Sequence, residues 1–393
     1  MGCIMKSRDL RFGGRGMFIK SKYIVLEDRV LENGALEIDN GKIKSILESS
    51  DKLEDCIDYG DSIIGPGFVD THIHGYSGHD IMDKDAKGLE IISDEILKIG
   101  VTSFLPTTLT DTTENLNEAV KVVGDNKDNC KGAKIRGIFL EGPFFSLKYK
   151  GAQDPDCFSN PDIEKLKKWQ ELSGGLIKKI AIAPELEGSE EFIKEARKIG
   201  VYVAIGHTDA SYDQAKSAVD AGANIFVHTY NAMSPLHHRN PGVVGAALTL
   251  DNVYAELICD GHHVHPAAAD VVMKCRGCQS VALITDCMMA GGMKDGDYKL
   301  GHFDVKVADG TARLESGNLA GSILKLKDGL KNVINWGIAS PFEAIQMASL
   351  VPAKSVGIDN ICGKIAIGRE ADLVVLNKNY DLEAVFLDGK KVK

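Results

Sequence analysis

The chain has 393 residues, 44% of them hydrophobic and 26% charged, and a formal net charge of −10. This length is too great for one ordinary domain and fits a barrel of ~250 residues with a smaller second domain. The acidic balance argues against nucleic-acid and anionic-membrane partners, because both need a basic protein surface, although a small anionic substrate stays possible. The sequence also has no apolar run long enough to span a membrane.

The first 16 residues are basic and glycine-rich but lack the apolar segment of a signal peptide. We expect a disordered lead-in over residues 1–16, with the fold beginning at Met17. Nine irregularly spaced cysteines in a chain without a signal peptide indicate reduced thiols. The sequence therefore predicts a cytoplasmic protein.

Short β-type runs occur near both ends of the chain. Residues 18–26, 34–39 and 42–47 alternate or cluster apolar side chains, and Asn40-Gly41 between the last two is a hairpin signal. Residues 371–376 and 384–387 repeat this character near the C-terminus. We expect residues 17–63 and 354–393 to form one small β-sandwich domain.

The middle of the chain is a regular alternation of apolar runs and helical spacing. The apolar runs cover residues 64–70, 102–106, 135–141, 179–183, 202–207, 224–228, 254–259 and 280–286. Most precede a helical pattern, such as residues 190–198 and 212–221. Strands buried on both faces are near-continuous apolar runs, and eight such units favour a closed barrel. Residues 64–353 are therefore predicted to form a (β/α)8 TIM-type barrel, the catalytic domain.

Metal-ligand residue types lie where these runs end. They are His72, His74, Glu141, His207, His228 and Asp286. Because the carboxyl ends of barrel strands meet at one mouth, all six should point into one volume. His72 and His74 are two residues apart and so share one face of a strand. Imidazole and carboxylate together predict a divalent metal, zinc or iron.

Asp286 has three possible roles at this mouth. It is a candidate metal ligand, a candidate general base, or both, since a carboxylate beside a metal can take a proton from water and return it to a leaving amine. The alternative is an ordinary helix cap in the loop after a strand.

A second polar cluster is cationic. It contains His237, His238, Arg239, His262 and His263. In an acidic protein such a cluster favours an anion site, and arginine is the best fork for phosphate. A solvated loop is the alternative, above all for His237 and His238.

Seven segments carry a resemblance to a known family. They are residues 65–75 (GPGFVDTHIHG), 140–144 (LEGPF), 206–210 (GHTDA), 228–233 (HTYNAM), 260–263 (DGHH), 285–286 (TD) and 319–322 (LAGS). With them the chain resembles the N-acetylglucosamine-6-phosphate deacetylase family of the amidohydrolase superfamily, from about Met17 to the C-terminus. The resemblance implies hydrolysis of N-acetyl-D-glucosamine 6-phosphate to D-glucosamine 6-phosphate and acetate, in amino-sugar catabolism or recycling.

The resemblance also implies a role for each candidate ligand. Glu141, His207 and His228 would hold the principal metal, and His72 and His74, with Asp286 nearby, would hold a second. Glu141 would bridge the two, so that one or two ions bind per subunit. A metal-bound hydroxide would attack the acetamide carbonyl, with Asp286 as general base and then acid.

Substrate contacts follow from the same resemblance. The implied substrate-binding residues are Asn231, Ala232, Arg239, His263, Leu319, Ala320 and Gln153. Arg239 and His263 would bind the phosphate, and Gln153 stands where some members of the family have a histidine. Family members are commonly homodimers, so we expect a homodimer.

Three alternatives stay open. N-acetylgalactosamine-6-phosphate deacetylase differs in substrate at one hydroxyl only. The second alternative is another amidohydrolase. Many of these enzymes use a carboxylated lysine on the third or fourth strand, and the presence of Glu141 at that place counts against them. An inactive barrel that serves as a scaffold should have lost ligands, and this sequence has lost none.

Overall fold

A computed structural model describes residues 16–51 and 53–393 of the chain. The lead-in expected over residues 1–16 lies outside them, apart from Gly16. The strands are β1 Met17–Val25, β2 Val30–Asp39, β3 Lys42–Leu47, β4 Ile57–Asp58, β5 Ile63–Pro66, β6 Phe68–Ile73, β7 Gly75–Tyr76, β8 His79–Asp80, β9 Val101–Thr108, β10 Lys134–Ile135, β11 Ile138–Phe144, β12 Ile177–Ile182, β13 Tyr202–Ile205, β14 Ile225–Phe226, β15 Tyr254–Ile258, β16 Val281–Ile284, β17 Gly296–Leu300, β18 Phe303–Ala308, β19 Thr311–Leu314, β20 Leu373–Leu376, β21 Leu382–Leu387 and β22 Lys390–Lys391. The helices are α1 Ala86–Leu97, α2 Thr113–Asn126, α3 Ile163–Leu172, α4 Ser189–Lys198, α5 Tyr212–Ala221, α6 Gly242–Thr249, α7 Pro266–Arg276, α8 Leu326–Asn335, α9 Pro341–Met347 and α10 Leu350–Ser355.

Eight parallel strands form the barrel in the order β6, β9, β11, β12, β13, β14, β15 and β16. A parallel bridge between Ile73 and Cys287 joins the two end strands, and the Asp286 amide donates to the His72 carbonyl over 2.8 Å. Every residue of β6 and β9 is buried, as strands covered on both faces should be. The predicted TIM-type barrel is confirmed.

The helices cover the barrel with one apolar face each. In α4, Phe192, Ile193 and Ala196 are buried, whereas Glu190 and Lys194 are exposed. Ser211 caps α5 through a reciprocal pair of hydrogen bonds with Gln214, a capping box. The predicted helix over residues 212–221 therefore begins and ends where its sequence signals lie.

Both chain ends contribute to one eight-stranded sheet, which we call the end sheet. Its order is β22, β21, β20, β5, β1, β2 and β3, with β4 paired to β1. Asn40 and Gly41 both have positive φ, 49° and 78°, as a tight two-residue hairpin requires. The predicted meeting of the two ends is thus present.

The apolar run at residues 64–70 was expected to be one strand, but the structure divides it. Ile64 belongs to β5, which pairs with β20 in the end sheet, whereas Phe68 begins β6 of the barrel. Gly67 alone separates the two strands, and a Cβ there would lie 2.1 Å from the Thr102 hydroxyl. Both halves are apolar because each is buried in a different core, so the sequence pattern could not separate them. The domain boundaries expected after residues 63 and 353 fall inside β5 and α10, and the division into two domains stays a prediction.

A three-stranded antiparallel sheet, β17–β18–β19, lies between β16 and α8 in the chain and was not expected from the sequence. We call it the flap. Val305 and Val307 of β18 point into a small core with Met288 and Ala290, which follow the last barrel strand. This packing places the flap over the barrel mouth. Among the described residues, no helix has both the length and the apolar character needed to cross a membrane.

Candidate metal centre

The six predicted ligands come from five barrel strands. His72 lies in β6 and Glu141 in β11, whereas His74, His207, His228 and Asp286 follow the ends of their strands. His207, His228 and Asp286 have φ values of 48°, 29° and 49°. Left-handed backbone at non-glycine residues is strained and collects at functional sites. Here it occurs where the chain turns at the mouth.

Glu141, His207 and His228 form the first ligand set, whose three ligand atoms lie within 4.8 Å of one another. Glu141 Oε1 lies 3.4 Å from His207 Nε2 and 3.1 Å from His228 Nε2. The Nδ1 atoms of the two rings lie 3.1 Å from the Tyr149 carbonyl and 3.2 Å from the Asn231 carbonyl. Because a carbonyl can only accept, each Nδ1 carries the proton and each Nε2 presents a lone pair. Two lone pairs only 3.1 Å apart beside a carboxylate fit a cation between them.

His72, His74 and Glu141 form the second set, again within 4.8 Å. Glu141 Oε1 lies 3.2 Å from His72 Nε2, and its Oε2 lies 3.3 Å from His74 Nε2. Asp286 Oδ1 lies 3.4 Å and 3.2 Å from the same two nitrogens. Glu141 therefore belongs to both sets.

The electrostatics of the cluster favour ionised carboxylates. Burial opposes ionisation of Glu141, but the facing histidines outweigh it and hold its pKa well below the usual range. Burial likewise opposes ionisation of Asp286, and His72 and His74 lower its pKa to about 2. Both groups are therefore anionic at neutral pH and provide the negative charge that a divalent cation needs.

A cavity of about 290 Å³ opens directly onto the two ligand sets. Five predicted ligands line it, all except His72, which is fully buried beneath. Predicted substrate contacts also line it: Gln153, Asn231, Ala232, His263 and Leu319. The flap contributes Leu300 to the same wall. The structure thus brings ten of the predicted site residues to one cavity of small-molecule size.

Three predicted substrate contacts have surroundings that the sequence did not predict. The Gln153 side chain donates to Glu141 Oε2 over 2.7 Å and accepts from the Thr110 amide over 2.9 Å. Ala320 is fully buried in the flap core, and its amide donates to the Ala312 carbonyl. Arg239 is exposed and lines another pocket, together with Lys148 and His237. Within one subunit, Arg239 and His263 therefore do not line the same cavity.

The sequence analysis missed a pair of buried charges at the base of the site. Lys179 of β12 and Glu256 of β15 are both fully buried, and their Nζ and Oε1 atoms lie 2.5 Å apart. Asp70 was also missed: it accepts from the Thr285 hydroxyl over 2.6 Å and so joins β6 to the end of β16. The sequence feature that could have revealed these residues was a charged residue inside an otherwise apolar strand.

Known proteins resemble this chain in both sequence and fold. A family profile described as "Amidohydrolase family" matches residues 63–392. This chain belongs to the amidohydrolase family. Among curated amidohydrolases, it is 39% identical to an N-acetylglucosamine-6-phosphate deacetylase of Vibrio furnissii over 364 residues, 92% of this chain and 91% of that one. It is 36% identical to an N-acetylgalactosamine-6-phosphate deacetylase of Escherichia coli over 374 residues, 95% of this chain and 98% of that one.

A solved structure with the same fold supports this family assignment. A variant of an N-acetyl-D-glucosamine-6-phosphate deacetylase from Mycobacterium smegmatis, in complex with N-acetyl-D-glucosamine-6-phosphate, has a TM-score of 0.92 with this chain. The two are 30% identical, and the match covers 96% of this chain and 100% of the other. The resemblance found in the sequence motifs is confirmed, and the family and the ligand cluster together indicate a divalent metal.

Proposed function

We propose that this amidohydrolase converts N-acetyl-D-glucosamine 6-phosphate to D-glucosamine 6-phosphate and acetate, as part of amino-sugar catabolism. The observation that carries the proposal is the position of Asp286, whose Oδ1 lies within 3.4 Å of both His72 and His74 at the edge of a small-molecule cavity. The Vibrio furnissii relative, whose name gives this substrate, supports the choice.

Each ligand set would hold a divalent metal, Glu141 being shared between them. Mixed imidazole and carboxylate ligands suit zinc or iron. When bound, such an ion supplies Lewis acidity and lowers the pKa of a water molecule toward ~7. The residues themselves then have to orient the acetamide, move one proton and bind the sugar phosphate.

Asp286 is the residue that moves the proton. His72 and His74 lower its pKa to about 2, so the carboxylate is ionised at neutral pH, the form in which a general base accepts a proton. The same carboxyl can then donate that proton to the amine as the C–N bond breaks, which general acid–base catalysis requires. Gln153 holds Glu141 by the 2.7 Å hydrogen bond and so orients the shared ligand.

The sugar phosphate would lie against the remaining cavity wall. Asn231, Ala232 and Leu319 line this wall beside His263, whose Nδ1 lies 2.6 Å from Asp260 Oδ2. That carboxylate fixes the ring so that Nε2 faces away from it, available to an anionic group. We further propose that Arg239 contacts the phosphate and that the protein is a homodimer, as the sequence motifs imply. We also propose that it is cytoplasmic, because its nine irregularly spaced cysteines are typical of reduced thiols.

The substrate is tested by acetate release from three compounds. These are N-acetylglucosamine 6-phosphate, N-acetylgalactosamine 6-phosphate and unphosphorylated N-acetylglucosamine. Release from the first alone, by protein of known metal content, supports the proposal. Preference for the second would favour the alternative that the Escherichia coli relative raises. No release from any of them, with metal bound, would return the substrate to the wider family.

A further inference from the structure

A buried ion pair lies on the side of His72 that faces away from the cavity. Lys179 and Glu256 are both fully buried in the barrel, and Lys179 Nζ also approaches the Thr71 carbonyl at 3.5 Å. Removing two charges from water is costly, and apolar residues often replace such a pair without loss of stability. Its presence inside the barrel therefore calls for a role other than stability.

Glu256 also contacts a candidate metal ligand. Its Oε2 lies 3.4 Å from His72 Nδ1, while its Oε1 accepts from Lys179. A carboxylate can only accept, so it keeps a proton on His72 Nδ1 and leaves Nε2 as the nitrogen that faces Glu141 and Asp286. Carboxylate–histidine–metal triads use this geometry to fix the tautomer and the ring orientation of a ligand.

Lys179 constrains the same imidazole by packing. Its ammonium lies 3.7 Å from the centroid of the Phe139 ring, and Phe139 contacts the His72 ring edge-on with centroids 4.8 Å apart. The lysine thus neutralises Glu256 and holds the aromatic ring beside His72. Together the three residues leave His72 little freedom to rotate.

This arrangement acts on one ligand set only. His207 and His228 are oriented by the neutral carbonyl groups of Tyr149 and Asn231, which are near them in the loops of the mouth. The Nδ1 atom of His72 has instead a charged partner, from a strand on another side of the barrel. The two sets therefore differ in what holds their histidines.

We propose that the Lys179–Glu256 pair positions His72 and thereby determines whether a second metal ion binds in the His72, His74 and Glu141 set. The inference rests on the proposed metal centre, but it concerns the second ion alone. Lys179 and Glu256 are positioning residues, since neither lines the cavity.

The test is a metal titration of the full chain. The double variant Lys179→Met with Glu256→Gln removes both charges together, so neither is left buried and unpaired, and the introduced amide is not ionised. Metal-free protein is titrated with Co²⁺, and bound ions per subunit are measured with visible absorption as a report on coordination. The first ion should bind as in the unaltered chain, whereas the second should bind about 10–100-fold more weakly.

Two further variants sharpen the titration. Lys134→Met removes another partly buried, ion-paired lysine, which lies on β10. This variant should bind both metal ions normally, which separates the effect of the Lys179–Glu256 pair from general destabilisation. Thr71→Val removes only the hydroxyl that donates to Glu256 over 3.4 Å and should weaken the second ion less than the double variant does. The Thr71→Val variant provides the test of the inference if the double variant does not fold.

The outcomes distinguish this inference from the proposed function. Equal binding of two ions by the unaltered chain and by the charge-free variant would overturn the inference. A single ion in the unaltered, active chain would overturn it too, while the deacetylase function would stand. Selective loss of the second ion in a chain that does not deacetylate would support the inference and reject the substrate.

Discussion

Asp286 combines three properties in one carboxylate. It follows the last barrel strand in a left-handed conformation, it contacts two candidate metal ligands, and it borders the cavity. Its pKa of about 2 means that the free base form dominates at neutral pH. The ionised form is the one that a general base needs, and the protonated form is the one that a general acid needs.

Replacing Asp286 with asparagine should abolish most turnover. The amide has nearly the same shape but cannot accept a proton, and loss of general acid–base catalysis typically lowers the rate about 10²–10⁴-fold. Binding of the phosphorylated sugar, measured by calorimetry, should persist, with metal content measured on the same sample. Undiminished acetate release would reject the acid–base role.

The proposed role of Arg239 also depends on one residue, because it rests on a single charge. We expect Arg239→Ala to raise KM for the phosphorylated substrate about tenfold or more, equivalent to at least about 1.4 kcal/mol of binding. The unphosphorylated sugar should respond little. His238→Ala, which removes a neighbour that lies 2.7 Å from the Arg239 guanidinium, is the matched control. An equal effect on both sugars would contradict a phosphate contact.

Single residues were predicted well where the signal is local. The spacing of His72 and His74 and the positions of the other ligands after strands depend only on neighbouring residues. The pairing of Lys179 with Glu256 joins residues 77 positions apart, and it depends on how strands are ordered around the barrel. Gln153 was expected to contact substrate because a motif position implied it, whereas its two hydrogen bonds depend on the fold of a loop.

At the scale of elements, the flap shows what sequence patterns miss. The barrel strands are recognisable in the sequence as apolar runs. In contrast, β17, β18 and β19 are short and polar on one face, and only alternate residues are buried. Their small core forms with residues after β16, which the sequence analysis had treated as a loop. The flap matters because Leu300 and Leu319 bring it into contact with any occupant of the cavity.

A charge in the flap core should therefore impair substrate binding as well as stability. Val305→Asp places a carboxylate in the small apolar core without disturbing the separate barrel core. We expect KM to rise about tenfold, the equivalent of about 1.4 kcal/mol, together with a lower Tm, because burial of an unpaired carboxylate is costly. Asp304→Asn, an exposed change on the same strand, should leave both unchanged. A large fall in Tm with unchanged KM would show that the flap is a structural element only.

At the scale of the whole molecule, one lysine joins the barrel to the end sheet. Lys134 of β10 has its Nζ 2.9 Å from Glu370, 2.9 Å from Asp372 and 2.6 Å from Asp388. These carboxylates resemble a metal site in their spacing, but the ammonium already lies among them. The contact joins strands and loops more than 230 residues apart in the chain.

Lys134→Met should lower the free energy of unfolding by about 2 kcal/mol, because hydrogen bonds to charged groups are lost and three carboxylates are left together. Burial opposes ionisation of Glu370, but Lys134 and Arg136 outweigh it and lower its pKa. A lowered pKa stabilises the fold above the unfolded value of about 4.5 and loses that effect as the pH falls.

The difference between the two proteins should accordingly be largest near neutral pH and shrink below about pH 4.5. Urea unfolding at pH 7 and pH 4 measures it. A pH-independent difference would mean that lost packing, and not charge, is responsible.

The single residue between β5 and β6 has a consequence for the order in which the protein can be made. β5 lies between β1 and β20 in the end sheet, so the strand that precedes His72 and His74 has one partner that is synthesised before it and one that is synthesised about 300 residues later. A nascent chain emerging from the ribosome can therefore pair β5 with β1 and β6 with β9 early, whereas the other edge of β5 stays without its partner until β20 has been made. We expect full protease protection of residues 63–66 to appear only after β20 has left the exit tunnel, which makes the join between the barrel and the end sheet one of the last parts of the protein to mature.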